Sequence, residues 1–417
     1  MWAQEGAPGP VGMDMPPVAF ATNGKVTNVF SANFTASTVF DDNAFGYGTD
    51  RVSGLEYYFS PVFGFQQTRK HLQFNMTYAP SVDISQRYQD RYTQMGGLEL
   101  SYIPTARLSF HARQDYAITT DPFQDVLQNG DLPTLNPQDR PNNPVIFPYL
   151  KQTILISNAG ITYRVTRHTS IGLNGYFSDS HYDNDAGGGL GSSLISARVA
   201  SGSLYLSHQV SARQTFGFEY TQQGFFFNQT DSRTRAYNFN FFDDIAITHR
   251  SKLSFYFGPE YTRTQGQSVL NLLFFVIDIP VQNTAWSWAG GATYSWNGDR
   301  TAIQASYTRA VNDGGGLLGA VWMSGGSVQI HRKLGYRLEA DLGFQITENT
   351  ALGLSSNQYQ YRQVSGAFGL SRQLNPRTSV RLSYSRLNQS SGFINQLGNN
   401  DRVQLSLSYQ LRRPLGR

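Results

Sequence analysis

At 417 residues the chain is long enough for two or three soluble domains, yet only 15% of its residues are Asp, Glu, Lys or Arg, against roughly 25% in a soluble globular chain. The net charge of +4 is mild and points to no nucleic-acid partner. No run of about 18 apolar residues occurs, which excludes a membrane-spanning helix.

Aromatic residues make up 14% of the chain, with 24 Tyr and 28 Phe, while the mean hydropathy is negative. Low charge, many rings and abundant small polar residues suit a sheet that is greasy on one face and polar on the other. There is no Cys, which is compatible with passage through an oxidising periplasm.

In chain order, residues 1–25 are rich in Pro and Gly and read as a flexible periplasmic segment. The first strand is expected over Val29–Phe40, before the polar Asp41-Asp42-Asn43. Strict alternation follows. Leu72, Phe74, Met76 and Tyr78 interleave with Gln73, Asn75 and Thr77. Residues 121–148 form the longest expected loop, with Pro at 122, 133, 137, 141, 144 and 148; it reads as an inward-folded constriction or as an ordinary surface loop.

From Ile195 to Leu206 the apolar parity switches, and a bulge near Ser201-Gly202 is expected there. Phe216, Phe218 and Tyr220 alternate with Gly217, Glu219 and Thr221. Asp243 falls on the apolar parity of its strand without an explanation in sequence. Leu253, Phe255 and Phe257 alternate with Ser254, Tyr256 and Gly258. Residues 265–282 are a strongly apolar loop region, best read as two strands extended beyond a membrane, otherwise as a gate, plug or docking surface. Tyr336 to Ile346 places Arg337, Glu339 and Asp341 on one face, which water can hold and lipid cannot. Val380, Leu382 and Tyr384 alternate with Arg381, Ser383 and Ser385, and Val403 to Leu411 alternates again.

Connections alternate in length. Short ones lie around Arg69, Thr105, Arg167, Ala212, Arg250, Gly298, Lys333 and Pro376, and Asn297-Gly298 is the strongest hairpin signal among them. Eight hairpins and two lone terminal strands make about 18 strands. The expected fold is all-β: an antiparallel up-and-down transmembrane barrel over 26–411, short turns periplasmic, long loops extracellular, and a tail over 412–417. A soluble sandwich would need a more charged outer face, and no repeat supports a propeller or solenoid.

A barrel of this size leaves an aqueous channel unless plugged. Parity places Arg113, Asp115, Arg164, Glu219, Glu260, Arg337, Glu339, Asp341, Arg381 and Arg402 on the lumen wall, where interleaved acids and bases favour mutual pairing over an anion-selective ring. Each short turn carries a base in it or just after it: Arg69-Lys70, Arg107, Arg167, Arg213, Arg250, Arg300, Arg332-Lys333 and Arg377. That rim suits anionic lipid headgroups or an acidic periplasmic partner. Outer-rim hydrolase chemistry would need His181 with Asp183 and Asp185, a constellation better read as a solvated loop. No cofactor or metal motif appears, and no enzyme activity is expected.

Residues Thr35 to Gly46, with Asp41-Asp42-Asn43 before an apolar stretch, resemble the first strand and loop of β-barrel porins associated with exopolysaccharide gene clusters. The resemblance implies a barrel of similar strand number that passes a secreted polysaccharide together with a periplasmic export protein. The last strand is similar to the assembly signal of outer-membrane proteins, but Arg412 to Arg417 follow its usual end. The expected role is passive passage of small polar solutes or a polysaccharide across an outer membrane; the competing expectation is a structural or adhesion barrel with a plugged lumen.

Overall fold

The computed structural model describes residues 27–43, 51–86, 90–119, 151–183, 195–227, 232–272, 275–316, 319–352, 360–391 and 399–414. The segment 1–25, the whole Pro-rich 121–148 loop and the side chains of 267–281 lie outside the described residues.

The chain forms one closed antiparallel sheet of 18 strands. The first six are β1 Thr27–Asp41, β2 Gly54–Thr68, β3 Leu72–Ser85, β4 Arg91–Thr105, β5 Leu108–Thr119 and β6 Gln152–Arg164. Next come β7 Thr169–Tyr182, β8 Ala197–Ser211, β9 Gln214–Phe227, β10 Ser232–Ala246, β11 Ser251–Leu272 and β12 Phe275–Asn297. The last six are β13 Thr301–Asn312, β14 Val321–Lys333, β15 Leu338–Ala351, β16 Gln360–Asn375, β17 Thr378–Ser391 and β18 Asn399–Pro414. Each strand pairs with its sequence neighbours, and β1 pairs with β18 to close the ring, so no edge strand is left.

The period-2 pattern sets the two faces. Leu173, Leu204, Phe239, Phe257, Leu342, Phe344, Leu382 and Leu405 all face outward and are exposed. Water would not tolerate a belt of this extent on a soluble protein, whereas bilayer hydrocarbon does. The chain is therefore a multi-pass outer-membrane barrel. Its short turns are closed by their own side chains. Thr166 Oγ1 accepts the His168 and Thr169 amides at 3.2 and 3.0 Å, and Thr248 Oγ1 those of Arg250 and Ser251, both at 3.1 Å.

The expected bulge near Ser201-Gly202 is absent. The register of β8 against β7 and β9 runs unbroken from Ala197 to His208, and slips only between Gln209 and Ser211. Ala197 and Val199 are buried on the inward face with Tyr205, and Arg198 is the outward residue. The greasy side changes because the loop-side ends of the strands rise above the membrane. The apolar 265–282 stretch is mostly strand: β11 and β12 make a hairpin of 22 and 23 residues, as the strand-extension reading expects. Asp243 keeps outward parity at the short-turn end but is buried, and Gln214 Nε2 donates to its Oδ2 at 2.8 Å.

Inward aromatic rings lie flat along the wall where a neighbouring strand offers glycine. Tyr205 opposes Gly172, crosses it and shares a 2.7 Å hydrogen bond with Thr162 on β6. Tyr256 crosses Gly291 to reach Thr308 on β13 at 2.8 Å. A side chain at either glycine would collide with the ring and push it into the lumen. Gly172→Val is expected to cost about 1–3 kcal/mol in urea unfolding of the detergent-solubilised barrel. Gly343→Val, with nothing within 4 Å of its added Cβ, should leave the midpoint nearly unchanged.

Candidate functional site: the lumen and its mouth

The wall facing the lumen is polar and changes character along its height. On β1 to β5 the inward residues of the short-turn half remain partly accessible, among them Ser31, Asn75, Gly97 and Arg113. Those of the loop-side half are buried: Asp41, Glu56, Asp83, Arg91 and Asp115. On this part of the wall the interior is therefore more accessible on the periplasmic side than at the extracellular mouth, whereas on β7 to β10 inward residues of the short-turn half, such as Ser170, Ser203, Thr215 and Asn240, are buried as well.

Two ion networks anchor the mouth. Arg91 Nη2 donates to Glu56 at 2.8 Å and to the Tyr58 hydroxyl at 3.2 Å, and its guanidinium also binds Asp83; Tyr58 donates to Glu56 at 2.5 Å. This network ties β2, β3 and β4 together. Asp41 is the centre of the second. Its Oδ1 accepts the Asn43 amide at 2.9 Å and Asn400 Nδ2 at 2.6 Å, and its Oδ2 accepts Arg402 Nε at 2.6 Å. Asp42 accepts the Asp401 amide at 2.7 Å, and Asn43 Nδ2 donates to the Asn399 carbonyl at 3.0 Å. The Asp41-Asp42-Asn43 motif is thus a clasp between the first and last strands.

The third feature is a hairpin folded inward. β12 and β13 pair only up to Gly290 and Arg309. Beyond that point the Val311 amide donates to Glu260 Oε1, on the lumen face of β11, at 3.3 Å. Asn312 Oδ1 accepts the Asp313 amide at 2.6 Å, and Asp313 Oδ1 accepts the Gly315 amide at 3.3 Å. Gly314 and Gly315 take positive φ of 76° and 60°, where a side chain would be strained. Val311, Ala320 and Leu352 then pack on Ala197, Val199, Phe225, Phe227 and Ala236 of β8 to β10, with Tyr176, Ile195 and Trp322 at the edge. This small apolar core lies inside the barrel end.

Tyr182 and Tyr361 are both buried at the mouth. β7 and β16, which carry the two tyrosines, stand half-way round the wall from each other. Tyr361 donates to Gln389 at 2.7 Å and Gln152 donates to Tyr182 at 3.2 Å, which fixes both rings to the wall.

The residues placed on the lumen wall by parity separate by height. Arg402 is held by Asp41, and Asp115 pairs with Arg113 at 2.7 Å. Glu260 holds the inward hairpin, and Glu219 is buried on β9. Arg164 and Glu339 keep inward parity near the short-turn ends of β6 and β15. Asp341 receives His331 Nδ1 at 2.7 Å and Arg381 Nη1 at 3.3 Å across β14, β15 and β17. Arg337 instead occupies the turn before β15, donating to the Leu374 carbonyl at 3.2 Å beside the Tyr336 ring. Parity missed the clasp partner Asn400 and the hairpin residues Val311 to Ala320, because neither is a charge on a regular strand.

His181 meets Ser196 Oγ at 3.3 Å and Asp183 lies 3.9 Å from Lys151, while Asp185 is outside the described residues. Among the described residues no cluster of three metal-ligating side chains occurs.

The accessible Asp341 group gives a direct test of wall charge. Asp341→Asn removes one negative charge beside Arg381 and His331, so the reversal potential in a KCl gradient should move toward that of chloride. An unchanged potential would mean that permeating ions do not pass this part of the wall.

No protein-family model matches the chain, and no curated protein does. Among solved structures, the chain is similar to the Pseudomonas aeruginosa outer membrane protein OprD at 11% identity and TM-score 0.42, over 94% of this chain and 98% of that one. It is similar to Pseudomonas aeruginosa OpdQ at 11% identity and TM-score 0.43, over 93% and 99%. It is similar to Pseudomonas aeruginosa OccK8 (OprE) at 11% identity and TM-score 0.42, over 93% and 98%.

Proposed function

We propose that the barrel is a channel through which hydrophilic molecules cross the outer membrane. The carrying observation is the lumen: its wall is polar, on β1 to β5 it is more accessible from the periplasmic half, and at the loop-side end Val311 and Ala320 pack against β8 to β10. Purified barrel in planar bilayers should give stable single-channel steps. Bilayers that stay silent over repeated insertions would retire the channel and leave a sealed structural barrel, the reading that the buried mouth favours.

The finer reading is passage of a secreted polysaccharide received from a periplasmic protein. It rests on the resemblance at Thr35 to Gly46 and on the short-turn rim, where Arg69, Lys70, Arg107, Arg167, Arg213, Arg300 and Arg377 are exposed. Asp299 answers one base there, Arg250, at 2.9 Å. An anionic oligosaccharide added on the short-turn side should block the current at lower concentration than a neutral one of equal length. Equal block by both would leave only a general solute channel.

A further inference from the structure

Above the apolar belt, on the loop side, outward arginines generally face an acid. Arg198 donates to Asp179 at 3.0 Å, and Arg386 lies 3.9 Å from Asp401. Arg51 donates to Asp42 at 2.7 Å, and Arg362 stands directly opposite Glu348.

One place breaks this rule. Arg235 on β10 and Arg263 on β11 are direct cross-strand partners, both exposed on the outward face, and Arg233 lies two residues further along the same face. Directly opposed side chains have Cβ atoms about 4.5–5.5 Å apart, and like charges there are destabilising. The outward positions around them carry Gly224, Phe226, Gln265, Gln282 and Thr284, and no carboxylate among the described residues pairs with any of the three. Asp231, the nearest acid in sequence, falls outside the described residues.

What lies below this row fixes its depth. Tyr237, Tyr261 and Trp286 sit side by side on β10, β11 and β12, with ring centroids 6.2 and 5.0 Å apart. Below them come Phe239 and Phe257, wholly apolar and exposed. Phenyl, then phenol and indole, then guanidinium is the order in which a bilayer passes from hydrocarbon to interface to headgroup. The arginines are thus level with the headgroups of the outer leaflet, where an anion would relieve their mutual repulsion.

We propose that Arg233, Arg235 and Arg263 bind the phosphate groups of an outer-leaflet glycolipid, whose chains lie on the Tyr237, Tyr261 and Trp286 surface. Guanidinium forks suit phosphate oxygens, and two opposed forks can grip one phosphate from both sides. The site is on the lipid face and is independent of any traffic through the lumen.

The test uses the full chain in detergent with bis-phosphorylated lipid A as probe, and native mass spectrometry to count retained lipid. The wild-type barrel should keep lipid A through delipidating washes, keep its dephosphorylated form on the order of tenfold less well, and lose most lipid A in the variant Arg233→Gln/Arg235→Gln/Arg263→Gln. The variant Arg362→Gln, which also removes one outward arginine, should retain lipid A as the wild type does. Millimolar inorganic phosphate should compete poorly. Equal retention of phosphorylated and dephosphorylated lipid, full retention by the triple variant, or complete displacement by inorganic phosphate would each overturn the proposal. Should the triple variant not fold, the comparison of the two lipids on wild-type protein decides alone.

Discussion

Asp41→Ala is expected to destabilise the barrel by about 3–5 kcal/mol, because it takes the carboxylate partner from a buried guanidinium. Arg402 is 3% exposed and Asp41 is fully buried, so water reaches neither. With the carboxylate gone, Arg402 Nε, Asn400 Nδ2 and the Asn43 amide all lose the acceptor they share. The damage falls on the seam where β1 meets β18, the one pairing in the sheet that joins the two ends of the chain. The heat-modifiable mobility of the folded barrel on gels should shift to a lower temperature, and the urea midpoint should fall. Adding Arg402→Gln to Asp41→Asn should recover part of the loss, since two neutral hydrogen-bonding groups avoid the uncompensated charge. Asp42→Ala is the contrast. Its ion-pair partner Arg51 is half exposed, and such pairs contribute about 0–1 kcal/mol, while the hydrogen bond that Asp42 accepts from the Asp401 amide adds about 0.5–1.5 kcal/mol, so this variant should lose clearly less than Asp41→Ala. If Asp41→Ala melts like Asp42→Ala, the clasp is not what holds the seam.

The asymmetry between these two neighbours bears on the family resemblance. A run of two acids and an Asn before an apolar stretch is visible in sequence, but its partners are more than 350 residues away, at Asn399 to Arg402. Closing a barrel requires that its first and last strands find each other, and a buried charge pair specifies one register where backbone bonds alone allow several. The motif has a structural role that needs no substrate to explain it.

Strand number and the two faces were legible because hydrocarbon outside and water inside impose a period of two on every membrane-spanning strand. The short turns were legible for the same reason, since Thr166, Thr248 and Asn375 cap their own hairpins with local hydrogen bonds. Tyr336 and Arg337 extend the alternation of β15 by two residues into the turn, so periodicity overran the strand end there. At the mouth the rule itself reverses. Above the belt the outer face meets headgroups and water, so Arg198 and Arg235 point out, while Val199, Phe225 and Phe227 point in and meet the hairpin. The parity switch near Ser201 therefore records a change of surroundings rather than a bulge in the backbone. The hairpin itself left no periodic trace: Asn312 to Gly316 is a turn whose direction depends on Glu260, a residue of another strand.

That dependence gives the second large effect. Replacing residues 313–320, which lie between the paired Asn312 and Val321, by a two-residue Asn-Gly turn is expected to raise single-channel conductance severalfold. The shortened connection lacks both Asp313 and Ala320, and so it no longer packs on the apolar core of β8 to β10. The wall is unaffected in principle, because β13 and β14 pair from Thr301 to Asn312 through their own backbone. Asn-Gly favours the tight hairpin turn this shortened connection needs. Glu260→Gln is the milder version. A neutral amide oxygen still accepts the Val311 amide, so the hairpin should stay folded in and conductance should change little. Glu260→Ala removes the acceptor and should produce flicker between a small and a large conductance, as the hairpin leaves and re-enters its seat. The apolar contacts with Phe225 and Phe227 resist that departure, and Phe227→Ala, which opens a cavity worth about 3–5 kcal/mol in a well-packed core, should lengthen the large-conductance state. If the shortened barrel conducts no better than the intact one, the narrowest point lies elsewhere along the lumen and the inward hairpin is a buttress of the wall.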